Sequence, residues 1–252
     1  MQVIKSVEQI KKLRAGLGKV GFVATMGNLH EGHQSLIEKA ASENDHTILS
    51  IYVNHAQFND KKDFANYPRT IDADLALAEK LNVSYLLIPS FEEIYADGYA
   101  FRVTENTELS SVLEGEFRAG HFTGMLTVVM KLLLITRPTK SYFGEKDYQQ
   151  FLLVKAMAAA FFLDTEIIAL PTIRNKDGLP LSSRNSRLSS EQLKEAAYFS
   201  KLLSDQNISC IDAKHKLIEK GFIVEYLEER WGKRLGAVKF HGVRLIDNYP
   251  IL

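Results

Sequence analysis

The 252-residue chain sets 31 basic against 31 acidic side chains and is 46% hydrophobic. That length and apolar content suffice for one large or two modest cores, while the zero net charge argues against a nucleic-acid-binding module, which normally carries a basic surplus. The single cysteine, Cys210, excludes intramolecular disulfides and fits a reducing, cytoplasmic setting.

Met1 to Arg14 mixes apolar and charged residues and lacks the apolar centre of a signal peptide. Ser6 and Gln9 have the spacing of a capping box for a short helix through Leu13. Val20 to Thr25 reads as the first strand and Gly32 to Ala41 as the helix after it. Thr47 to Val53 is a nearly continuous apolar strand, as expected where both sheet faces are covered. Asp72 to Leu81 reads as a helix with Leu75, Leu77, Ala78 and Leu81 on its buried side, and Asp72 and Asp74 as first-turn acids. Val83 to Ile88 is a third strand, ended by Pro89. Met125 to Ile135 and Asp147 to Phe161 read as helices, with a short strand at Ser141 to Phe143 between them. The stretch Met125 to Thr136 contains Lys131 and falls well short of the roughly twenty apolar residues of a membrane span, so no membrane partner is expected. Thr165 to Leu170 is a strand running into Pro171.

Beyond a polar loop from Asn175 to Ser190, helices near Ser190 to Leu203, with Ser189 and Gln192 read as its cap, and Cys210 to Lys220 precede strands near Phe222 to Leu227 and Ala237 to Ile246. Strands alternating with helices predict an α/β fold, a Rossmann-like doubly wound parallel sheet over 1–172. The shorter elements of 173–252 predict a small C-terminal α+β domain, with a lid role inferred from the polar linker. In such sheets ligands bind beyond the carboxyl ends of the strands. Four polar segments fall there: Thr25 to His33, Asn54 to Phe58, Gly144 to Gln150, and Pro171 onwards.

The segment Thr25-Met26-Gly27-Asn28-Leu29-His30-Glu31-Gly32-His33 is a strand end, a tight turn and a helix start. A helix N-terminus carries roughly half a positive charge and presents amides, so with two imidazoles it suits a polyphosphate. Metal binding by His30 and His33 would need further ligands, and the chain offers no cysteine pair or His-Glu-x-x-His. Ser182, Ser183 and Arg184 combine two hydroxyls with a guanidinium suited to phosphate oxygens, or form a solvated linker. Lys146 could reach a phosphate, while Asp147 could cap a helix or accept from a ribose hydroxyl. Asn54 and Gln57 could bind a small polar substrate or form a polar turn. For His121 a structural hydrogen bond is expected, and Cys210 is read as inert.

Together these segments resemble the pantoate–beta-alanine ligase (pantothenate synthetase) family. The resemblance is carried by Thr-Met-Gly-Asn-Leu-His-Glu-Gly-His at 25–33, Val-Asn-x-x-Gln-Phe at 53–58, and Tyr-Pro-Arg-Thr at 67–70. Further on it is carried by Gly-His-Phe-Thr-Gly at 120–124, Phe-Gly-Glu-Lys-Asp-Tyr-Gln-Gln at 143–150, Ser-Ser-Arg-Asn at 182–185, and Arg-Leu-Ile-Asp-Asn at 244–248. It implies that ATP and (R)-pantoate give pantoyl adenylate, from which beta-alanine displaces AMP to yield pantothenate. Met26, Gly27, Asn28, Leu29, His30, Glu31, Gly32 and His33 would line the ATP site, with His33 where the family's proton donor is usually placed. Gly144, Glu145, Lys146, Asp147, Ile173, Leu181, Ser182, Ser183 and Arg184 would complete it. His30, His33, Lys146 and Arg184 would supply the positive potential of catalysis. Gln57 and Gln150 would hold pantoate, Gln57 would also lie close to beta-alanine, and Asn54 would assist. Magnesium would arrive with ATP, bound mainly through phosphate oxygens rather than a protein cage, and the family implies a homodimer.

The family usually reads Asn-Pro-Met-Gln-Phe where this chain has Asn54-His55-Ala56-Gln57-Phe58. Other readings of the same residues are a different nucleotidyltransferase on this fold and a non-catalytic nucleotide sensor.

Overall fold

The computed structural model describes residues 1–251. The chain divides into two compact units. The first comprises Met1–Leu29, His33–Gly144 and Gln149–Leu170. Its six strands are β1 (Gln2–Ile4), β2 (Val20–Thr25), β3 (His46–Ile51), β4 (Tyr85–Leu87), β5 (Lys140–Gly144) and β6 (Glu166–Leu170). They form one sheet in the order β1-β4-β3-β2-β5-β6, and every pairing is parallel. The expected doubly wound sheet is therefore present. The chain winds outward from β2 in both directions, so the junction of β2 with β5 is the topological switch point. The carboxyl ends of β3, β2, β5 and β6 lie side by side along one sheet edge.

Burial explains the strand sequences. Val20, Phe22, Val23, Ile48 and Leu49 are inaccessible to solvent, which only a sheet covered on both faces requires. Helices Val7–Arg14, Glu31–Glu43, Ile71–Lys80, His121–Thr136 and Tyr148–Ala160 provide that cover. The helix expected from Met125 starts earlier, at His121, after Gly120 in a left-handed conformation. Its first turn carries two of the motif's glycine-flanked residues, and glycine there reads as loop from sequence although the turn is packed. Strand β1 is too short for any periodicity to reveal. The short helical turns at Lys61–Ala65, Phe91–Ile94, Glu108–Ser111 and Glu114–Phe117 likewise escape pattern reading.

The second unit gathers His30–Gly32, Glu145–Tyr148 and the chain from Pro171 onward. Helices Ser190–Ser204 and Cys210–Glu219 pack on a three-stranded sheet of β7 (Ile223–Arg230), β8 (Lys233–Phe240) and β9 (Val243–Pro250). Phe199, Leu203, Leu217 and Val238 are fully buried in its core. Ser189 and Gln192 form the expected capping box in both directions. The single strand expected over Ala237 to Ile246 is instead a hairpin. His241 and Gly242 have φ of 46° and 75°, the left-handed pair of a two-residue turn, and Phe240 pairs with Val243. Trp231 and Gly232 turn β7 into β8 in the same way, at 51° and 73°.

Candidate active site

In the first unit, β2 ends in a turn held mainly by hydrogen bonds to residues distant in sequence. Thr25 Oγ1 donates to the Ser50 carbonyl at 2.7 Å and accepts the Gly27 amide at 3.2 Å. Gly27 and Asn28 both have positive φ, 81° and 51°. Glycine is needed at 27, since an added Cβ would also stand 3.0 Å from Asp74 Oδ2. The amides of Asn28 and Leu29 donate to the two carboxylate oxygens of Asp74 at 2.9 and 2.8 Å, and Thr70 Oγ1 donates to Oδ2 at 3.2 Å. Asp74 is 3% exposed, and it anchors the turn from a helix distant in sequence rather than serving only as a first-turn acid. The backbone of Asn28 and Leu29, read from sequence as open to an anion, is thus satisfied by a carboxylate. His33 is half-buried and Glu31 exposed on the first turn of helix Glu31–Glu43.

Beyond β3, the turn His55–Gln57 presents the second group. Asn54 is buried, and all of its side chain is committed. Its Nδ2 donates to Gln57 Oε1 at 3.0 Å and to the Gly124 carbonyl at 3.1 Å, while its Oδ1 accepts from the Tyr95 hydroxyl at 2.9 Å. Asn54, expected to touch substrate, therefore faces inward and aims Gln57. With Oε1 of Gln57 occupied, its Nε2 donates to Met26 Sδ at 3.2 Å, which leaves its second hydrogen as the remaining donor. An amide aimed in this way offers donors to an oxygen-rich ligand.

The backbone of Gln57 is fixed as well. Arg118 Nη1 donates to His121 Nε2 at 2.9 Å, and because arginine has no acceptor, His121 Nδ1 carries the hydrogen that reaches the Gln57 carbonyl at 2.8 Å. Arg118 pairs in turn with Glu114 at 3.1 Å. His121 has the structural role expected of it. Gln150 is half-buried on helix Tyr148–Ala160. Its neighbour Gln149 is buried, donates to the carbonyls of Leu109 and Val112, and accepts the Glu114 amide. Gly144 closes β5, half-buried.

The second unit brings His30 and the Glu145–Asp147 turn together. The Gly32 amide donates to His30 Nδ1 at 3.1 Å, which leaves the hydrogen of neutral imidazole on Nε2. Burial, with Lys146 adding to it and Asp147 opposing, lowers the His30 pKa to about 4. His30 is therefore a neutral donor near pH 7. Lys146 Nζ stands 3.6 Å from Asp147 Oδ2. Ser182 Oγ accepts the Arg184 amide at 3.3 Å, Ser183 is buried, and both serines and Arg184 lie at the start of the turn Ser183–Arg187. Ile173 and Leu181 are joined directly, the Leu181 amide donating to the Ile173 carbonyl at 3.0 Å.

A family model described as pantoate-beta-alanine ligase matches residues 2–250. Pantothenate synthetase from Coxiella burnetii is 49% identical over 251 residues, covering 99% of this chain and 96% of the relative. The enzyme of that name from Legionella pneumophila is 46% identical over 252 residues, with 99% of both covered. The chain belongs to the pantoate–beta-alanine ligase family. It is accordingly an enzyme, a ligase. The crystal structure of pantoate-beta-alanine ligase from Francisella tularensis, complexed with beta-gamma ATP and beta-alanine, superposes with a TM-score of 0.94 at 42% identity. It covers 99% of this chain and 97% of that one. Pantothenate synthetase from Thermus thermophilus superposes at 0.90 with 36% identity and 99% coverage of both chains.

Within this ligase, His55 opens the turn His55–Gln57. Its ring lies 5.0 Å from that of Phe91 and 6.3 Å from those of Phe64 and Tyr95, so aromatic packing holds the turn. Asp74, Tyr95, Lys233 and Asn248 are polar anchors that sequence reading did not single out as functional. The only available signal was the Asp-Asn pair of the Arg-Leu-Ile-Asp-Asn motif, which names no partner.

Proposed function

We propose that this ligase joins (R)-pantoate to beta-alanine in two steps at the expense of ATP. The pantoate carboxylate attacks the α-phosphorus, forming the acyl–phosphate bond of pantoyl adenylate as pyrophosphate departs. The beta-alanine amine then attacks the acyl carbon, forming the amide as AMP departs and the amine proton passes to solvent. The observation that carries this reading is the contact of Gln57 Nε2 with Met26 of the histidine motif. It sets amide donors suited to a carboxylate or hydroxyl substrate against the segment assigned to ATP.

No activated side-chain nucleophile is required, so rate enhancement comes from positioning and charge stabilisation. Gln57 and Gln150 hold pantoate, and Asn54 and His121 hold Gln57. His30 donates from Nε2 without titrating near neutral pH, and His33, Lys146, Ser182, Ser183 and Arg184 meet phosphate oxygens. Gly144, Asp147, Ile173 and Leu181 border the nucleotide. This donor set of imidazole, hydroxyl, ammonium and guanidinium groups fits phosphate, while Glu145 is already paired with Lys233 at 2.8 Å. Magnesium would therefore be held by phosphate oxygens and water, where it would offset their charge. Among the described residues no cluster of three or more His, Cys, Asp or Glu is placed to hold a metal, and no helix is long and apolar enough to cross a membrane. A homodimer in a reducing cytoplasm belongs to the same reading, the dimer supported by the family and the reducing setting by a single cysteine.

Incubation with ATP, magnesium, pantoate and beta-alanine should release AMP and pantothenate in equal amounts. AMP without pantothenate would indicate another acceptor amine, and ATP binding without AMP a nucleotide sensor.

A further inference from the structure

The Arg-Leu-Ile-Asp-Asn motif at 244–248 has no task in the two-step reaction, yet its last residue is among the most fully engaged of the second unit. Asn248 is 5% exposed. Its Nδ2 donates to the carbonyl of Glu145 at 2.8 Å and to that of Lys146 at 3.0 Å, and its Oδ1 accepts from Lys233 Nζ at 3.0 Å. These partners settle the amide's orientation, because only the nitrogen end can donate to carbonyls and only the oxygen can accept from an ammonium. Lys233 also holds the Glu145 carboxylate at 2.8 Å and stands 4.3 Å above the Tyr148 ring. The backbone of Asn248 is pinned in turn. Its amide donates to Asp247 Oδ1 at 2.7 Å, and its carbonyl accepts from Arg174 Nη2 at 3.1 Å. Arg174 and Asp247 themselves form a two-pronged pair at 2.8 Å on each prong.

We infer that Asn248, braced by Lys233, is the positioning residue for Lys146. One side-chain amide grips the peptide carbonyls immediately before and after the Lys146 Cα. Both peptide planes flanking that residue are thereby set, and the direction in which its side chain leaves the turn is set with them. A flexible four-carbon side chain loses much entropy when held on a ligand, so a fixed base is what makes its charge effective. This inference rests on the assignment of Lys146 to ATP phosphate.

The test is a cycle of variants, Asn248→Ala, Lys146→Ala and both together, read by calorimetric binding of a non-hydrolysable ATP analogue and by steady-state kinetics. Asn248→Ala should weaken analogue binding and lower kcat/KM for ATP about tenfold, the scale of losing one or two buried hydrogen bonds. The KM values for pantoate and beta-alanine should stay within about twofold of wild type, and the double variant should be no worse than Lys146→Ala alone. Asn248→Asp, which keeps the shape and removes the donor, should behave like Asn248→Ala. Unchanged ATP parameters in a folded Asn248→Ala protein, or losses that multiply in the double variant, would overturn the inference. Should circular dichroism show the Asn248 variants unfolded, Lys233→Met, which leaves Asn248 in place, enters the same cycle with the same two outcomes. A wild-type protein that binds the analogue but makes no pantothenate refutes the proposed reaction, and the binding cycle still decides the role of Asn248.

Discussion

The carboxylate of Asp74 accepts the backbone amide of Leu29 at 2.8 Å across 45 positions of sequence. With the Asn28 amide on its other oxygen, this one side chain satisfies two consecutive donors of a turn that runs through two positive-φ residues. Asp74→Ala would leave both amides without a partner and should cost about 3 kcal/mol of stability. Denaturant titration gives that number directly, and KM for ATP should rise in parallel because His30 and His33 follow the same turn. A variant as stable as wild type would show that the turn holds its own shape.

Gln57 is oriented by Asn54, which occupies its Oε1. Gln57→Glu replaces the Nε2 donor beside Met26 with an acceptor that repels a carboxylate. The KM for pantoate should rise about 10²-fold, with KM for ATP little changed, since a site built to donate rejects what it cannot pair. An equal effect on both substrates would move Gln57 away from the acid.

Helix His121–Thr136 approaches the Ala56–Gln57 peptide at Gly124, where an added Cβ would lie 2.2 Å from the Ala56 carbonyl oxygen and 2.7 Å from the Gln57 nitrogen. Both neighbours are backbone and cannot swing aside. Gly124→Ala should lower stability by about 1–3 kcal/mol, the range for overpacking, and should weaken pantoate more than ATP. Thermal melts and substrate kinetics on the purified variant check both parts.

His30 binds its proton less readily in the folded chain than in the unfolded one, with a folded pKa of about 4 against an ordinary 6.5, because of burial first and Lys146 second. The unfolded state therefore holds the extra proton between those values. The contribution of neutral His30 is fully present above about pH 6.5 and is lost as the pH falls toward 4. Protonating Nδ1 would also remove the acceptor of the Gly32 amide. A histidine NMR titration should place the His30 midpoint near 4 in the ligand-free protein, and a midpoint near 6.5 would contradict the geometry.

His33→Ala should slow adenylate formation about 10²-fold or more, the scale of removing a transition-state donor. Pantoate-dependent exchange of pyrophosphate into ATP measures that step alone. A near-wild-type exchange rate would take His33 out of the mechanism.

Much of the fold was legible in the sequence. Val20 to Thr25 and Thr47 to Val53 announced buried parallel strands by unbroken apolar character, and Ser189 with Gln192 announced a capping box, because these signals lie within a few residues of one another. The hairpin at His241-Gly242 was missed for a local reason. Apolar residues continue on both sides, and a histidine at positive φ does the work more commonly signalled by asparagine.

The histidine motif, its place at the carboxyl end of a strand, and the succession of a parallel α/β unit by a smaller α+β one were determined by sequence alone. Periodicity, turn chemistry and motif order are all local properties. Tertiary structure decided which atoms each polar group would meet. Asp74 took the amides of Asn28 and Leu29, Asn54 turned inward onto Gly124 and Tyr95, and Asn248 closed on the carbonyls around Lys146. Those pairings depend on buried hydrogen-bond satisfaction across separate chain segments, and residue spacing along the chain carries no record of it.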